Sequence, residues 1–378
     1  MCSLSKNSLR LIELLKLKEY DSKKFKVDKI TNNIFFMKLY NDIKNIINKQ
    51  VLGNIEIKRI TEDPFFYFKD NTFTSSNIKD KIKIELKYGY QFMNNNNIII
   101  YYTKKEITKV PLIIENMFAI INILKKLFNR KFFQRVIFFE TLEKKEFPQK
   151  DNLILGSNEV NTGVTINNDF QNHSHNGDII LYRKEEVLKV LIHELIHSNL
   201  IDKKIIKSDD VAKFSNIFCV NYKILLNEAF TESIALIINL FYIHIKCNFN
   251  KKILDIMFQN EVNYSNYICS KILSYYKIDK ISDVIKKDKN CNKIFPQKSN
   301  VFSYYFLKNI LISDHISYGN ILNKYYHERF HYKINNKKCI NEIIDLLINN
   351  IYLLDKRIYK ISNDKNNSLQ LCLYEMKL

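Results

Sequence analysis

The sequence predicts an α+β protein in which a small mixed β region precedes a mainly helical region. Runs that favour β-strands lie between residues 81 and 182, whereas helical patterns dominate after residue 200. With 6 Gly and 4 Pro in 378 residues, the chain has few of the turn residues that an all-β fold requires. A hydrophobic fraction of 46% and a charged fraction of 26% are typical of a globular protein with a large core.

We expect three regions along the chain. Residues 1–80 carry mostly helical patterns, residues 81–200 contain the strands and end in an apolar helix, and residues 201–378 form a helical region. The middle region is predicted to begin with a hairpin, in which Lys81–Tyr90 and Ile98–Thr103 flank a turn at Asn94–Asn97. The later elements are predicted to be a helix over Glu115–Asn129, strands over Arg135–Glu140, Glu159–Ile166 and Asp178–Tyr182, and a buried helix over Lys184–Leu200.

The apolar helix contains the motif His193-Glu194-Leu195-Ile196-His197. Positions four apart share one helix face, so both imidazoles can reach the same metal ion while Glu194 points into the same space. Burying two histidines and a carboxylate in an apolar helix without a partner would cost several kcal/mol. We therefore predict a zinc site, in which Glu194 takes the proton of an activated water.

The third ligand is predicted from the residues downstream of the motif. A histidine six residues after His197 is excluded because that position is Lys203, and the glycine that accompanies such a site is replaced by Leu200. Glu228 and Glu232 instead share one face of a strongly helical stretch, as a metal ligand and its supporting acid would. Asp202, five residues past His197, is the alternative third ligand.

The motif helix and the Asn-Glu-x-x-x-Glu stretch at residues 227–232 resemble the active sites of gluzincins, the thermolysin-like and aminopeptidase-like zinc metallopeptidases. The resemblance covers residues 193–232 and implies a zincin-like fold, peptide or protein substrates, and zinc bound by His193, His197 and Glu228. It also implies that Glu232 supports a histidine ligand. The connection between the two helices is longer than is typical of these families.

Other candidates for the site are weaker. In such a reaction the oxygen that becomes negatively charged needs a hydrogen-bond donor from the helical region. Tyr304, Tyr305 and His315 are candidates by location. Asn161–Thr165 is placed like an edge strand that pairs with an extended substrate, or is an ordinary short strand. A second HExxH at residues 327–331 contains Arg329, whose charge disfavours zinc, and His173 and His175 are expected in a polar loop.

The net charge of +19 leaves a nucleic-acid partner possible, but the lysines are scattered and no nucleic-acid-binding motif is present. A composition rich in Lys, Asn and Ile is typical of AT-rich genomes and hints at a viral or parasite source. A catalytically inactive zincin-fold protein is a further alternative, although the intact Glu194 argues against it.

Cysteine usage and hydropathy predict the compartment. The seven cysteines have wide, irregular spacing and no CxxC pair, so we expect reduced thiols in a cytoplasmic or nuclear setting, with a viral origin possible. The N-terminus is amphipathic and does not resemble a signal peptide. No window is long and apolar enough for a membrane span; Ser233–Ile245 comes closest and is expected to be a buried helix.

Overall fold

A computed structural model describes most of the 378-residue chain. The described residues are 3–17, 26–50, 52–63, 74, 76–103, 107, 109–129, 135–149, 153–166, 178–199, 202, 209–286, 291–325, 337–358 and 366–378. The second HExxH motif at residues 327–331, together with His173 and His175, lies outside them.

The fold is α+β, as predicted, with a six-stranded mixed sheet and a helical part. The strands are β1 (Glu56–Ile60), β2 (Tyr88–Met93), β3 (Asn97–Tyr102), β4 (Arg135–Phe139), β5 (Gly163–Ile166) and β6 (Asp178–Leu181). The helices up to the HExxH motif are α1 (Lys6–Leu17), α2 (Ile34–Asn48), α3 (Ser76–Glu85), α4 (Leu112–Leu127), α5 (Ser157–Val160) and α6 (Val187–Ser198). The later ones are α7 (Asp209–Ser215), α8 (Leu226–Lys246), α9 (Lys251–Tyr275), α10 (Lys308–Ser313), α11 (His315–Tyr325) and α12 (Lys337–Asp355). A π-helix over Phe302–Leu307 precedes α10.

The sheet has the strand order β1-β2-β3-β4-β6-β5. β3, β4 and β6 are parallel, whereas β1, β2 and β5 pair antiparallel with their neighbours. β5 therefore forms one edge of the sheet, beside β6, the strand that precedes α6. This edge position is the one that the sequence suggested for Asn161–Thr165.

Apolar side chains cover both faces of the sheet. Alternate strand residues such as Val136 and Phe138 join the large core, which extends from Leu11 to Met376 and includes α4, α6 and α8. The intervening residues, such as Ile137 and Phe139, form a smaller core with α3. Because α6 and α8 are buried almost all round, a polar side chain on either helix must find a partner inside the protein.

The hairpin predicted over Lys81–Thr103 is present, but its first strand begins later than predicted. Residues 81–85 belong to α3, because Ile78, Ile82 and Leu86 recur every four residues and are all buried against the sheet. Over residues 81–85 the pattern that was interpreted as the alternation of a strand is therefore the period of a helix.

Two further strand predictions were incomplete. Residues 157–160 form α5, so only the second half of the strand predicted over Glu159–Ile166 is extended. β1 lies within residues 1–80, where only helices were expected. It is an exposed edge strand of mostly polar residues and therefore lacks an apolar pattern by which it could be recognised.

The prediction of reduced cysteines was wrong at Cys219 and Cys291, which form a disulfide, and at Cys247. The backbone explains how residues 72 apart in sequence meet: Cys219 donates to the carbonyl of Val284 and accepts from the amide of Phe295. Among the described cysteines, Cys269, Cys339 and Cys372 are free and buried, and Cys247 is disulfide-bonded.

By length and composition, α8 is the one helix of the described residues that could cross a membrane. Within the protein, 89% of its apolar window is buried. This burial agrees with the core helix expected over Ser233–Ile245.

Candidate metal centre

Two helices of the core bring the predicted ligands together. His193 and His197 lie one turn apart on α6, and Glu228 lies in the first turn of α8. The Nε2 atoms of the two imidazoles are 2.9 Å apart. Glu228 Oε2 is 3.4 Å from His193 Nε2 and 3.3 Å from His197 Nε2. One ligand atom from each residue therefore faces a common point, and within the described part of the chain this is the group that could hold a metal ion.

Each imidazole is oriented from behind by a carboxylate. His193 Nδ1 lies 3.0 Å from Glu232 Oε2, and His197 Nδ1 lies 2.6 Å from Asp202 Oδ2. The side-chain amide of Asn227 donates to the same oxygen of Asp202 at 2.9 Å. Proton donation by Nδ1 to a carboxylate directs the lone pair of Nε2 toward the metal position, as in many metal sites. Glu232 therefore lies where the sequence predicted it.

Asp202, the alternative third ligand, is bound to the far nitrogen of His197 and so is suited to orient that ring. Glu228 instead offers the third candidate ligand atom. The burial of Glu228 alone would raise its pKa, but the adjacent imidazoles outweigh this effect and hold the pKa well below its usual range. Glu228 is therefore a carboxylate and not a carboxylic acid.

The carboxylates around the two imidazoles favour a bound proton or metal cation. Burial lowers the pKa of His197, but the carboxylates of Glu228 and Asp202 outweigh it and raise the pKa well above its usual value. Burial and His197 lower the pKa of His193, but the carboxylates of Glu228 and Glu232 outweigh them and raise it above its usual value. The three carboxylates thus create a site that attracts protons or a cation.

The donor set fits a zinc ion. Glu228 Oε2 is buried and makes no hydrogen bond within the described residues, although two imidazole nitrogens face it. With each Nδ1 donating to a carboxylate, both Nε2 atoms and this oxygen present lone pairs to one another, and such an arrangement needs a cation at its centre. Two imidazoles and one carboxylate are a ligand set that catalytic zinc sites use.

Glu194 lines a small cavity together with His193 and is held by the edge strand. The hydroxyl of Thr165 in β5 donates to Glu194 Oε2 at 2.8 Å. β5 and α6 can approach closely because residue 163 is glycine: a Cβ there would lie 2.8 Å from Leu181 Cδ2 and 3.1 Å from Val190 Cγ1. The bond from Thr165 to Glu194 was not predicted from the sequence, because a contact between strand and helix leaves no periodic signal.

The three candidate oxyanion donors lie in different surroundings. Tyr304, in the π-helix, has its ring centroid 5.9 Å from that of His193. Burial, together with the Glu228 carboxylate, raises the pKa of Tyr304 well above its usual value, so its hydroxyl remains protonated and can donate. The hydroxyl of Tyr305 donates to the Leu369 carbonyl at 2.6 Å. His315 lies against Phe258, with ring centroids 4.6 Å apart. The structure therefore brings Tyr304 to the centre, and not the other two.

A buried ion pair supports the centre from the far side. Lys189, one turn before His193 on α6, binds Glu232 Oε1, while the other oxygen of this carboxylate faces His193. Both side chains of the ion pair are 1% exposed. A single lysine in the apolar helix is the sequence signal by which this pair could have been suspected, because a buried lysine requires an anionic partner.

Comparisons with known proteins place the chain near an uncharacterised viral protein. It is 26% identical over 197 residues to a protein of Acanthamoeba polyphaga mimivirus that has no assigned function. The match covers 50% of this chain and 49% of the relative, so the chain spans about half the length of the protein it matches. No family model matches the chain, and no solved structure matches it. This similarity is compatible with a viral origin.

Proposed function

We propose that this protein is a zinc-dependent metallopeptidase of the gluzincin kind. The observation that carries the proposal is the convergence of His193 Nε2, His197 Nε2 and Glu228 Oε2 on one point, with Glu194 on α6 directly after His193. We further propose that it acts on peptides or proteins in a cell that a virus infects.

A zinc ion held by these three residues would polarise the scissile carbonyl and lower the pKa of the water bound to it to about 7. Glu194 is the group in the chain that would take the proton from the attacking water. It would then deliver that proton to the amine that leaves when the peptide bond breaks. The hydrogen bond from Thr165 supports this role because it fixes one carboxylate oxygen and leaves the other for the water.

Two further features of the chain support peptide hydrolysis. The protonated hydroxyl of Tyr304 could donate to the oxygen that becomes negatively charged as water adds to the carbonyl. Among the described residues the outer side of β5 has no paired strand, and an extended peptide could pair with it through main-chain hydrogen bonds. Together they would hold the substrate on the side of the centre where Glu194 lies.

Zinc content and peptide hydrolysis of Glu194→Gln test the proposal. We expect zinc-loaded wild type to contain one zinc ion per chain and to cleave members of a peptide library. Glu194→Gln should keep the zinc and lose at least about a hundredfold in kcat, since it lacks the group that accepts the proton. Glu56→Gln, at an exposed position in β1, serves as a control and should match wild type.

The results separate three cases. Loss of cleavage with zinc retained supports the peptidase. A zinc-loaded wild type that cleaves no peptide would indicate a binding protein and contradict the proposal. Equal cleavage by Glu194→Gln and wild type would show that Glu194 is not the base.

A further inference from the structure

A second, larger cavity of about 280 Å³ lies at the start of α6 and is lined by residues 184–189 and by most of residues 372–378. It is separate from the candidate metal centre, since none of the three candidate metal ligands lines it. We infer that this cavity binds a small organic amine, whose ammonium group is held by Glu185, Glu375 and Asn239. The inference goes beyond the proposed function and does not depend on peptidase activity.

The size and the walls of the cavity suit a small organic molecule. An apolar cavity of about 150 Å³ can hold benzene, so this one has room for roughly ten non-hydrogen atoms. Val187, Leu188 and Met376 supply apolar walls, and each is at most 6% exposed. Tyr374 adds a buried aromatic ring. An apolar body therefore finds contacts along these walls, whereas a bare metal ion would leave most of the space unfilled.

Two of the carboxylates that line the cavity form no ion pair within the described residues. Glu185 Oε2 accepts a bond from the amide of Lys145 at 2.7 Å, and its other oxygen has no hydrogen-bond partner there. Glu375 is bound by the amide of Glu186 and, at 3.3 Å, by the hydroxyl of Ser5. Lys145 forms its ion pair with Glu186, at 2.7 Å. The carboxylates of Glu185 and Glu375 are therefore available to a cation in the cavity.

The charges around these two groups favour a bound cation. Burial, together with the carboxylates of Glu186 and Glu375, raises the pKa of Glu185 to about 8 although Lys145 opposes the shift. Burial and Glu186 also raise the pKa of Glu375. Glu185 is therefore largely protonated at pH 7. An ammonium group beside both carboxylates would supply the missing positive charge and displace that proton.

An amide oxygen gives an independent indication of a ligand. Asn239 of α8 lines the cavity and is only 3% exposed. Its Nδ2 donates to the carbonyl of Tyr374 at 3.2 Å, whereas its Oδ1 has no hydrogen-bond partner within the described residues. A buried amide oxygen without a donor costs free energy, which an N–H group of an occupant would recover. A primary ammonium group has three donors, which matches the two carboxylates and this oxygen.

The mouth of the cavity carries the opposite charge. Lys6, Lys144 and Lys377 line the cavity and are exposed to solvent. Their positive charges repel a divalent metal ion or a polyamine more strongly than a singly charged amine. The cavity therefore favours one positive charge on an apolar body.

The test measures binding of 2-phenylethylamine to the zinc-loaded full chain by titration calorimetry. Its controls are 2-phenylethanol, which has the same size without the charge, and phenylacetate, which carries a negative charge. We expect one amine to bind per chain, and the alcohol and the acid to bind at least about tenfold more weakly. Removal of zinc by a chelator should leave the affinity for the amine unchanged, because the cavity is separate from the metal centre.

Glutamine variants identify the carboxylates that hold the amine. Glu185→Gln and Glu375→Gln each keep an oxygen for the backbone amide that the carboxylate accepts from, and urea unfolding verifies that they fold. Each should weaken binding of the amine about tenfold or more and change binding of the alcohol little. Glu143→Gln is the matched control and should bind the amine like wild type. Glu143 lines the same cavity, but its carboxylate is paired with Lys81.

Several results would overturn the inference: no saturable binding of the amine, equal affinity for the amine and the alcohol, equal effects of the three glutamine variants, or loss of binding when zinc is removed. Displacement of the amine by magnesium or calcium at millimolar concentration would show that the carboxylates form a metal-ion site instead. A chain that binds the amine but cleaves no peptide would contradict the proposed function and leave this inference intact. The reverse result would contradict the inference alone.

Discussion

Lys189 and Glu232 form an ion pair between two core helices, and each side chain is only 1% exposed. The positive charge of Lys189 lowers the pKa of Glu232, and Glu232 in turn, with Glu186, raises that of Lys189 against the effect of burial. Because Glu232 also binds His193, the pair connects the packing of α6 on α8 to the geometry of the metal centre.

Replacement of Lys189 by methionine should strongly destabilise the protein. The variant leaves the carboxylate of Glu232 buried without its cation, and loss of one partner of a buried ion pair typically costs about 3–5 kcal/mol. Urea unfolding of the metal-free protein measures the change. Lys324→Met is the control, since the Lys324–Glu342 pair is largely exposed and should contribute no measurable stability. Equal effects of the two variants would contradict a structural role for Lys189.

The candidate ligands could be predicted from the sequence because helical spacing determines which residues share a face. His193 and His197 are four apart on α6, and Glu228 and Glu232 are four apart on α8. The structure adds the contact between the two helices, without which the four side chains would not meet. The composition of each helix indicated its burial, so this packing is consistent with what the sequence predicted.

Contacts between distant elements could not be predicted from the sequence. The hydrogen bond from Thr165 to Glu194 depends on how closely β5 packs on α6. The role of Asp202 depends on its contact with Nδ1, and not with Nε2, of His197. Likewise, the Cys219–Cys291 disulfide depends on backbone pairing across 72 residues. Each of these follows from tertiary structure, and local residue patterns do not specify it.

Glu228→Gln and Asp202→Asn should differ in how they reduce zinc binding. Glu228 offers a ligand atom, so its neutral replacement should bind less than one zinc ion per chain even with zinc in excess. Asp202 orients His197, and loss of such a contact typically weakens metal affinity by about 10- to 100-fold while the stoichiometry at saturation remains. Competition with a chelator measures both. The reverse order of effects would make Asp202 the ligand.

Zinc affinity should fall as the pH is lowered. The pKa values of His193 and His197 are raised in the metal-free protein because nearby carboxylates stabilise their protonated forms. Protons therefore compete with zinc already above pH 6.5, where an ordinary imidazole is mostly neutral. Chelator competition at a series of pH values measures this onset. Asp202→Asn should move the onset to lower pH, because it removes one of the carboxylates that raise the pKa of His197. An onset well below pH 6.5 in wild type would contradict the prediction.

Loss of the Cys219–Cys291 disulfide should destabilise the protein. The bond closes a loop of about 72 residues, and such a constraint typically contributes about 2–4 kcal/mol, mainly by restricting the unfolded chain. Cys291→Ser should lower the urea midpoint by a corresponding amount, and a reducing agent should lower the midpoint of wild type by more than that of the variant, in which this bond is already absent. If the reducing agent has no effect on wild type, the bond does not contribute to stability.

Tyr304→Phe should mainly impair catalysis, whereas Tyr305→Phe should mainly reduce stability. Tyr304 lies against His193 with a protonated hydroxyl, so its loss should reduce kcat by about a hundredfold or more and leave zinc content unchanged. The hydroxyl of Tyr305 instead binds the Leu369 carbonyl in the core. Its loss should cost about 1–3 kcal/mol of stability, because that carbonyl is left without its partner, and should leave kcat near the wild-type value. Steady-state kinetics and urea unfolding of both variants test the assignment. A lower kcat in Tyr305→Phe than in Tyr304→Phe would mean that the π-helix presents the other tyrosine to the substrate.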